Sequence, residues 1–207
     1  FKLYFRKSSF KKDLNSAKIL LQEIENYAPK SFLEIGVFQG VTSRNVCEKL
    51  NIIHDGKFKY IGIDLFEDTD EKIDLKESTS KHKKFSNPFK HILYNIILKK
   101  DLHSINSVKD LLKKFNNNVD LIKGFSHEAL KKVNLSEVEF VFLDGGHAYE
   151  TVKEDLRIIL KDIKKNMIVI CDDYDQVGYG VKKAVDELKD HVTDIINLNG
   201  RLVKIIT

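Results

Sequence analysis

The sequence predicts an α/β fold: an open, mostly parallel sheet covered by helices on both faces. Two observations carry this. Short apolar runs rich in Val, Ile, Leu and Phe alternate with stretches whose apolar residues recur at helical spacing. Near the end, Asn199-Gly200 separates two apolar runs, the signature of a hairpin that sets one antiparallel strand into the sheet. The 207 residues suit one large domain, or a core with a substantial insertion. A chain of this size can bury around 70% of its extended surface, so it needs neither disulfide nor metal to fold.

Taken in order, residues 13–28 form an amphipathic helix with Leu14, Ala17, Leu21, Ile24 and Ala28 on one face, and Pro29 stops it. A short strand at 31–36 leads through a turn at 37–40 into a helix over 41–50, and a second strand follows at 60–64. From 66 to 118 the rhythm loosens. Residues 67–77 are acidic, 81–84 read Lys-His-Lys-Lys, and two helical faces are marked by Phe89, Ile92, Leu93, Ile96 and Ile97 and by Ile105, Val108, Leu111, Leu112 and Phe115. So long a connection is expected to hold a lid or substrate-binding insertion. Strands return at 119–123, 139–143 and 167–171. They are joined by a helix over 149–164 with Val152, Leu156, Ile159, Leu160 and Ile163 inward. A further helix carries Val181, Ala184, Val185 and Leu188, and the hairpin strands span 194–198 and 201–206.

Composition excludes several classes. The 35 basic and 31 acidic residues leave a net charge of +4, too evenly spread for the concentrated basic stripe of a nucleic-acid binder. No uninterrupted apolar run approaches the ~20 residues of a membrane span. No leader pattern is visible, and the chain begins at Phe1 rather than Met, which leaves room for a preceding segment. Cys47 and Cys171 are too few for a disulfide framework and read as small buried hydrophobes, in keeping with a reducing cytoplasm.

In an open α/β sheet, ligands bind beyond the carboxyl ends of the strands, so the chemistry should lie in the residues that follow them. After the first strand come Glu34, Gly36, Gly40, Thr42 and Ser43. The glycines allow a tight turn and close approach to a ligand, and the helix start offers free N–H groups to an anion such as a carboxylate. Glu34 would suit a ligand ammonium. A tight turn that binds nothing would need the same glycines. After the second strand, Asp64 is placed to accept hydrogen bonds from ribose hydroxyls, or to cap a turn.

Asp144 follows the fourth strand and Asp172-Asp173 the fifth, with 28 residues between Asp144 and Asp172. Neighbouring strands lie about 4.8 Å apart. Three carboxylates gathered there would repel one another, and a divalent cation would remove that conflict. Oxygen donors favour Mg²⁺, with Mn²⁺ or Ca²⁺ as alternatives. The bland alternative has one acid capping a helix and the others facing water. His147, three residues beyond Asp144, suits a general base, a substrate donor, a metal neighbour or a helix cap. Gly178-Tyr179-Gly180 could close over a substrate.

Together, Glu34-x-Gly36-x-x-x-Gly40-x-Thr42-Ser43, Gly62-Ile-Asp64, Asp144-Gly-Gly-His147-x-Tyr149-Glu150 and Asp172-Asp173-Tyr174 resemble the class I S-adenosylmethionine-dependent methyltransferases. More narrowly, they resemble the small-domain branch of metal-dependent sugar O-methyltransferases of macrolide and aminocoumarin biosynthesis. The resemblance implies a Rossmann-like, doubly wound sheet of seven strands with an antiparallel strand from the C-terminal hairpin. It implies a single domain over 1–207, with an N-terminal helical segment at 1–29 and a helical lid at 66–118. The cofactor would be S-adenosyl-L-methionine, its methionine part held by Glu34, Gly36, Gly40, Thr42 and Ser43, its ribose by Asp64 and its adenine near Ser126, with Asp144 alongside. Asp144, Asp172 and Asp173 would match the Mg²⁺ ligands, and His147 and Asp144 the catalytic pair. This chain has Gly146 where some sugar enzymes of the branch have a second aspartate.

The implied acceptor is a hydroxyl of a sugar or sugar-containing small molecule. The basic residues Lys81, Lys83, Lys84, Lys90, Lys99 and Lys100 fit an anionic one such as a nucleotide sugar, or simply a solvated helix face. A catechol would use the same metal logic. The aromatic-basic start, 1–12, suits packing on the core or across a homo-oligomer. A nicotinamide-dependent oxidoreductase fits poorly because G-x-G-x-x-G spacing is absent. An inactive cofactor-binding protein is the remaining alternative.

Overall fold

The computed structural model describes residues 13–77, 101–161 and 167–207. The aromatic-basic start, the helical face on 89–97, the lysines from Lys81 to Lys100 and Ile163 lie outside these residues.

Helix α1, Leu14–Tyr27, starts where the Asp13 carboxylate accepts the Ser16 N–H at 3.1 Å. It ends at Ala28 in a left-handed conformation, because Pro29 disfavours a right-handed residue before it. Strand β1 is Ser31–Ile35, helix α2 Val41–His54 and strand β2 Lys59–Asp64. Helix α2 outruns the expected end at 50 by one turn, closing on a left-handed Asp55. After β2 come α3, Glu71–Lys76, and α4, Ile105–Leu112. Strand β3, Val119–Lys123, is followed by α5, Ser126–Ala129. Then come β4, Phe140–Leu143, α6, Tyr149–Lys161, β5, Ile168–Cys171, and α7, Val181–Asp186. Strands β6, Asp194–Asn197, and β7, Val203–Ile206, complete the set.

The seven strands form one sheet in the order β3-β2-β1-β4-β5-β7-β6. β1 to β5 are parallel, and β7 lies antiparallel between β5 and β6, as the Asn-Gly signal predicted. The order reverses between β1 and β4, which makes their carboxyl ends the switch point where a crevice opens.

Side chains alternate across the sheet. Leu33, Ile35, Ile63, Val141, Leu143 and Val169 face one side, against Val152, Leu156 and Ile159 of α6 and Val181, Ala184 and Val185 of α7. Phe32, Tyr60, Phe140, Phe142, Ile168 and Ile170 face the other, against α1, α2 and α4. On that side Phe32 stacks on Tyr60 at 6.0 Å and on Phe140 at 5.1 Å, a ladder of rings across β2, β1 and β4. Such pairs add about 0.5–1.5 kcal/mol each beyond their burial. Val108, Leu112 and Phe115, from the loosely patterned stretch, pack into this same layer. Cys47 and Cys171 are free and fully buried, as their apolar surroundings predicted.

Candidate functional site

The turn after β1 is built on Gly36, whose φ is +96°. Its N–H donates to the Ile63 carbonyl at 2.9 Å, and a Cβ there would fall 2.0 Å from the Asp144 carbonyl oxygen. The loops after β1 and β4 thus meet backbone to backbone, at a contact only glycine permits. Gly40, at φ +73°, precedes α2, and a Cβ on it would press on Val108 at 3.0 Å. His103 covers the turn from outside: its ring meets Phe38 edge-on at 4.6 Å, and its Nε2 lies 3.2 Å from Gln39 Nε2.

Asp64 knots two loops together. Its Oδ2 accepts the Phe38 N–H at 2.8 Å and its Oδ1 the Phe66 N–H at 2.7 Å. Phe38 and Phe66 both adopt positive φ, conformations costly without glycine, and the carboxylate offsets that cost. The residue expected near ribose therefore already shapes both turns.

Glu34 and Ser43 are fully enclosed, at 0% exposure. The Glu34 carboxyl accepts the Tyr60 hydroxyl and lies beside Ser43. Burial lifts it to about 8, Tyr60 and Ser43 pull it down, and Asp64 pushes it further up. Glu34 sits inside the α2–sheet layer, and its Oε1 has no hydrogen-bond partner among the described residues. Thr42 is buried on the first turn of α2 and lines a small cleft with Asp13, Ser16, Asp144, Asp172 and Arg201. Ser126, the first residue of α5, is committed to Asp155 of α6. Burial pushes Asp155 up to about 7, Ser126 opposes it, and Glu77 adds to it.

Beyond β4 and β5 the structure gathers the expected acids, but not as an equal trio. Donor atoms of Asp144, His147 and Asp173 lie within 4.8 Å of one another, close enough for one ion to span. His147 Nε2 is 3.1 Å from Asp173 Oδ2. Burial, and then the charges of Asp172 and Asp173, hold the Asp144 carboxyl well above its usual range. Arg201 relieves this only in part, and the remaining repulsion, with carboxylate and imidazole donors, suits a divalent cation. Asp172 stands apart from this set. Its oxygens face Arg201 Nε and Nη2, each at 2.6 Å.

Arg201 is the main residue that sequence reasoning missed. It lies just past Asn199-Gly200, and its Nη2 also reaches Asp173 Oδ1 at 3.2 Å. The His147 loop is held from both sides, by Glu77, which the sequence showed only as one of an acidic run, and by the 178–180 turn that the sequence placed near a substrate. The His147 N–H donates to the Glu77 carbonyl at 3.0 Å, and its carbonyl accepts the Gly180 N–H at 2.8 Å. The Tyr179 ring stacks on the imidazole at 4.3 Å, so the 178–180 turn lies directly on this loop.

Comparison with known proteins bears on the family and the fold. A family model described as a methyltransferase domain matches residues 33–174. No curated protein matches the sequence significantly. Among solved structures, the chain is similar to CalS11, a TDP-rhamnose 3′-O-methyltransferase of calicheamicin biosynthesis, with 20% identity over 95% of this chain and 79% of that one, TM-score 0.58. It is similar to the O-methyltransferase NovP at 19% identity over 94% and 79%, TM-score 0.61. The methyltransferase PaMTH1 of Podospora anserina, solved with SAH bound, matches at 16% identity over 92% and 77%, TM-score 0.60. At these identities the likeness is one of fold.

Proposed function

Because the chain belongs to the methyltransferase-domain family, we propose that it carries the methyl group of S-adenosylmethionine to a hydroxyl of a sugar or sugar-containing small molecule, aided by a divalent ion. The observation that carries this reading is the convergence of Asp144, His147 and Asp173 one backbone contact away from the glycine turn at Gly36. A sulfonium donor bound at that turn would supply an activated methyl group and a neutral leaving thioether.

Gly36, Gly40 and the first turn of α2 would form the cradle, whose wall depends on the bare Gly36 because the Asp144 backbone packs directly against it. Asp64 keeps the Phe38 and Phe66 turns in their left-handed conformations, so the cradle is set before ligand arrives. Ser126, hydrogen-bonded to Asp155, would lie on the adenine side. Asp144 and Asp173 would hold the ion, which would supply a positive charge beside the acceptor oxygen and lower its pKa. An aliphatic hydroxyl is otherwise a poor nucleophile at neutral pH.

His147 then removes the acceptor proton: neither of its ring nitrogens has a hydrogen-bond partner among the described residues, and with Nε2 turned to Asp173 the role falls to Nδ1. Asp173 Oδ2, 3.1 Å from Nε2, steadies the imidazolium that forms. Tyr179, stacked on the ring, fixes its plane and keeps water from that face.

Calorimetry with S-adenosylhomocysteine and with NAD, followed by turnover on a panel of sugar and catechol acceptors with and without EDTA, tests this. We expect binding of S-adenosylhomocysteine alone and methylation of a sugar vicinal diol that EDTA abolishes and Mg²⁺ or Mn²⁺ restores. Turnover that survives EDTA refutes the role of the ion. A catechol preference refutes the sugar.

A further inference from the structure

Three carboxylates crowd the carboxyl ends of β4 and β5, yet one of them is already fully engaged. Asp172 is 5% exposed. Its Oδ1 accepts Arg201 Nε at 2.6 Å and the Asp173 N–H at 2.9 Å, and its Oδ2 accepts Arg201 Nη2 at 2.6 Å. A two-armed guanidinium–carboxylate pair of this kind is among the strongest polar contacts a protein makes, and a buried one is costly to break.

The main chain that carries the arginine is tied down. Its N–H donates to Asn199 Oδ1 at 3.2 Å, and its carbonyl accepts the Tyr174 N–H at 2.8 Å. Asn199 Nδ2 in turn donates to Ser16 Oγ at 2.8 Å, which ties the hairpin turn to α1. Asp173 is divided: Oδ1 lies 3.2 Å from Arg201 Nη2, while Oδ2 is turned to His147.

Building on the metal-assisted reading above, we propose that Arg201 is a resident cation that keeps Asp172 out of reach of the divalent ion, so that the ion's carboxylate donors reduce to Asp144 and Asp173. Arg201 acts as a positioning residue. It decides which oxygens an ion can use and how much negative charge remains to attract it. Two carboxylates leave most positions around a six-coordinate ion to water and to the acceptor's own hydroxyls. The site is thereby tuned to bind its ion weakly alone and to complete its shell with a vicinal diol.

Mn²⁺ titration followed by electron paramagnetic resonance, on the full chain saturated with S-adenosylhomocysteine, tests this without turnover. The variants are Arg201→Gln, Arg201→Lys, Asp172→Asn and Asp144→Asn, each checked for fold by its S-adenosylhomocysteine affinity. Both Arg201 variants should tighten Mn²⁺ by about tenfold, because each frees Asp172 and loses the fork. Asp172→Asn should leave affinity within about threefold, while Asp144→Asn should weaken it by about fiftyfold or more. If Asp172→Asn weakens binding as much as Asp144→Asn, or if Arg201→Lys behaves like wild type, the inference is overturned while the metal-assisted reading stands. If wild type binds no Mn²⁺ at all, both fall together.

Discussion

Glu34 offers a direct measurement of what the glycine-turn layer costs the fold. It is fully enclosed, and burial moves its carboxyl from an ordinary 4.5 to about 8. The folded protein therefore binds this proton more tightly than the unfolded chain. Its contribution is fully present below pH 4.5, shrinks as the pH rises, and is gone above about 8. At about 1.4 kcal/mol per pH unit, the interval is worth roughly 4–5 kcal/mol. Glu34→Gln keeps an acceptor for the Tyr60 hydroxyl and a polar partner for Ser43, but cannot ionise. Asp155 is shifted in the same direction and cancels on subtraction, whereas Asp144 feels the Glu34 charge as its smallest cause, so the difference profile reports position 34 together with that coupling. Urea melts from about pH 5 to about pH 9 should show wild type losing several kcal/mol relative to the variant. A difference that stays flat across this range would refute the reasoning, because it would mean Glu34 is ionised or solvated in the folded state.

Two further substitutions test the neighbouring geometry. Gly36→Ala adds a Cβ that would sit 2.0 Å from the Asp144 carbonyl at a φ of +96°. Left-handed strain and overpacking together should cost about 2–5 kcal/mol in urea melts and remove S-adenosylhomocysteine binding by calorimetry. Asp64→Ala leaves the Phe38 and Phe66 N–H groups without their acceptor. It should cost about 2–4 kcal/mol and speed hydrogen exchange at those two amides ahead of the rest of the sheet.

Much of the scaffold could be read from the sequence because its strands are buried on both faces. Runs such as Phe140–Leu143 and Ile168–Cys171 are apolar throughout and leave little choice of structure. The same logic put Asp144 and Asp172 at the ends of adjacent strands. What the sequence did not disclose depends on contacts between distant segments. Arg201 reaches Asp172 because β7 returns antiparallel beside β5 and brings residue 201 to that edge, a matter of register rather than motif. Glu34 points inward because even-numbered residues of β1 share a face with Phe32, and only the partner layer reveals that this face is closed. The Gly178-Tyr179-Gly180 turn was legible as a neighbour of the site, but the stacking of Tyr179 on His147 and the place of Glu77 under that loop are set by packing and carry no local sequence signal.

The placement of β7 between β5 and β6 has a consequence for how the molecule assembles. β6 is made first but, among the described residues, pairs with the sheet through β7 alone, so it has no ladder to join until the later strand is made. The open edge of β5 waits with it, a template for wrong partners in the meantime. Because residue 201 belongs to the same returning segment, the acids at positions 172 and 173 lack their positive neighbour until that final docking event. Pairing of β7 with β5 and placement of Arg201 beside these acids therefore go together.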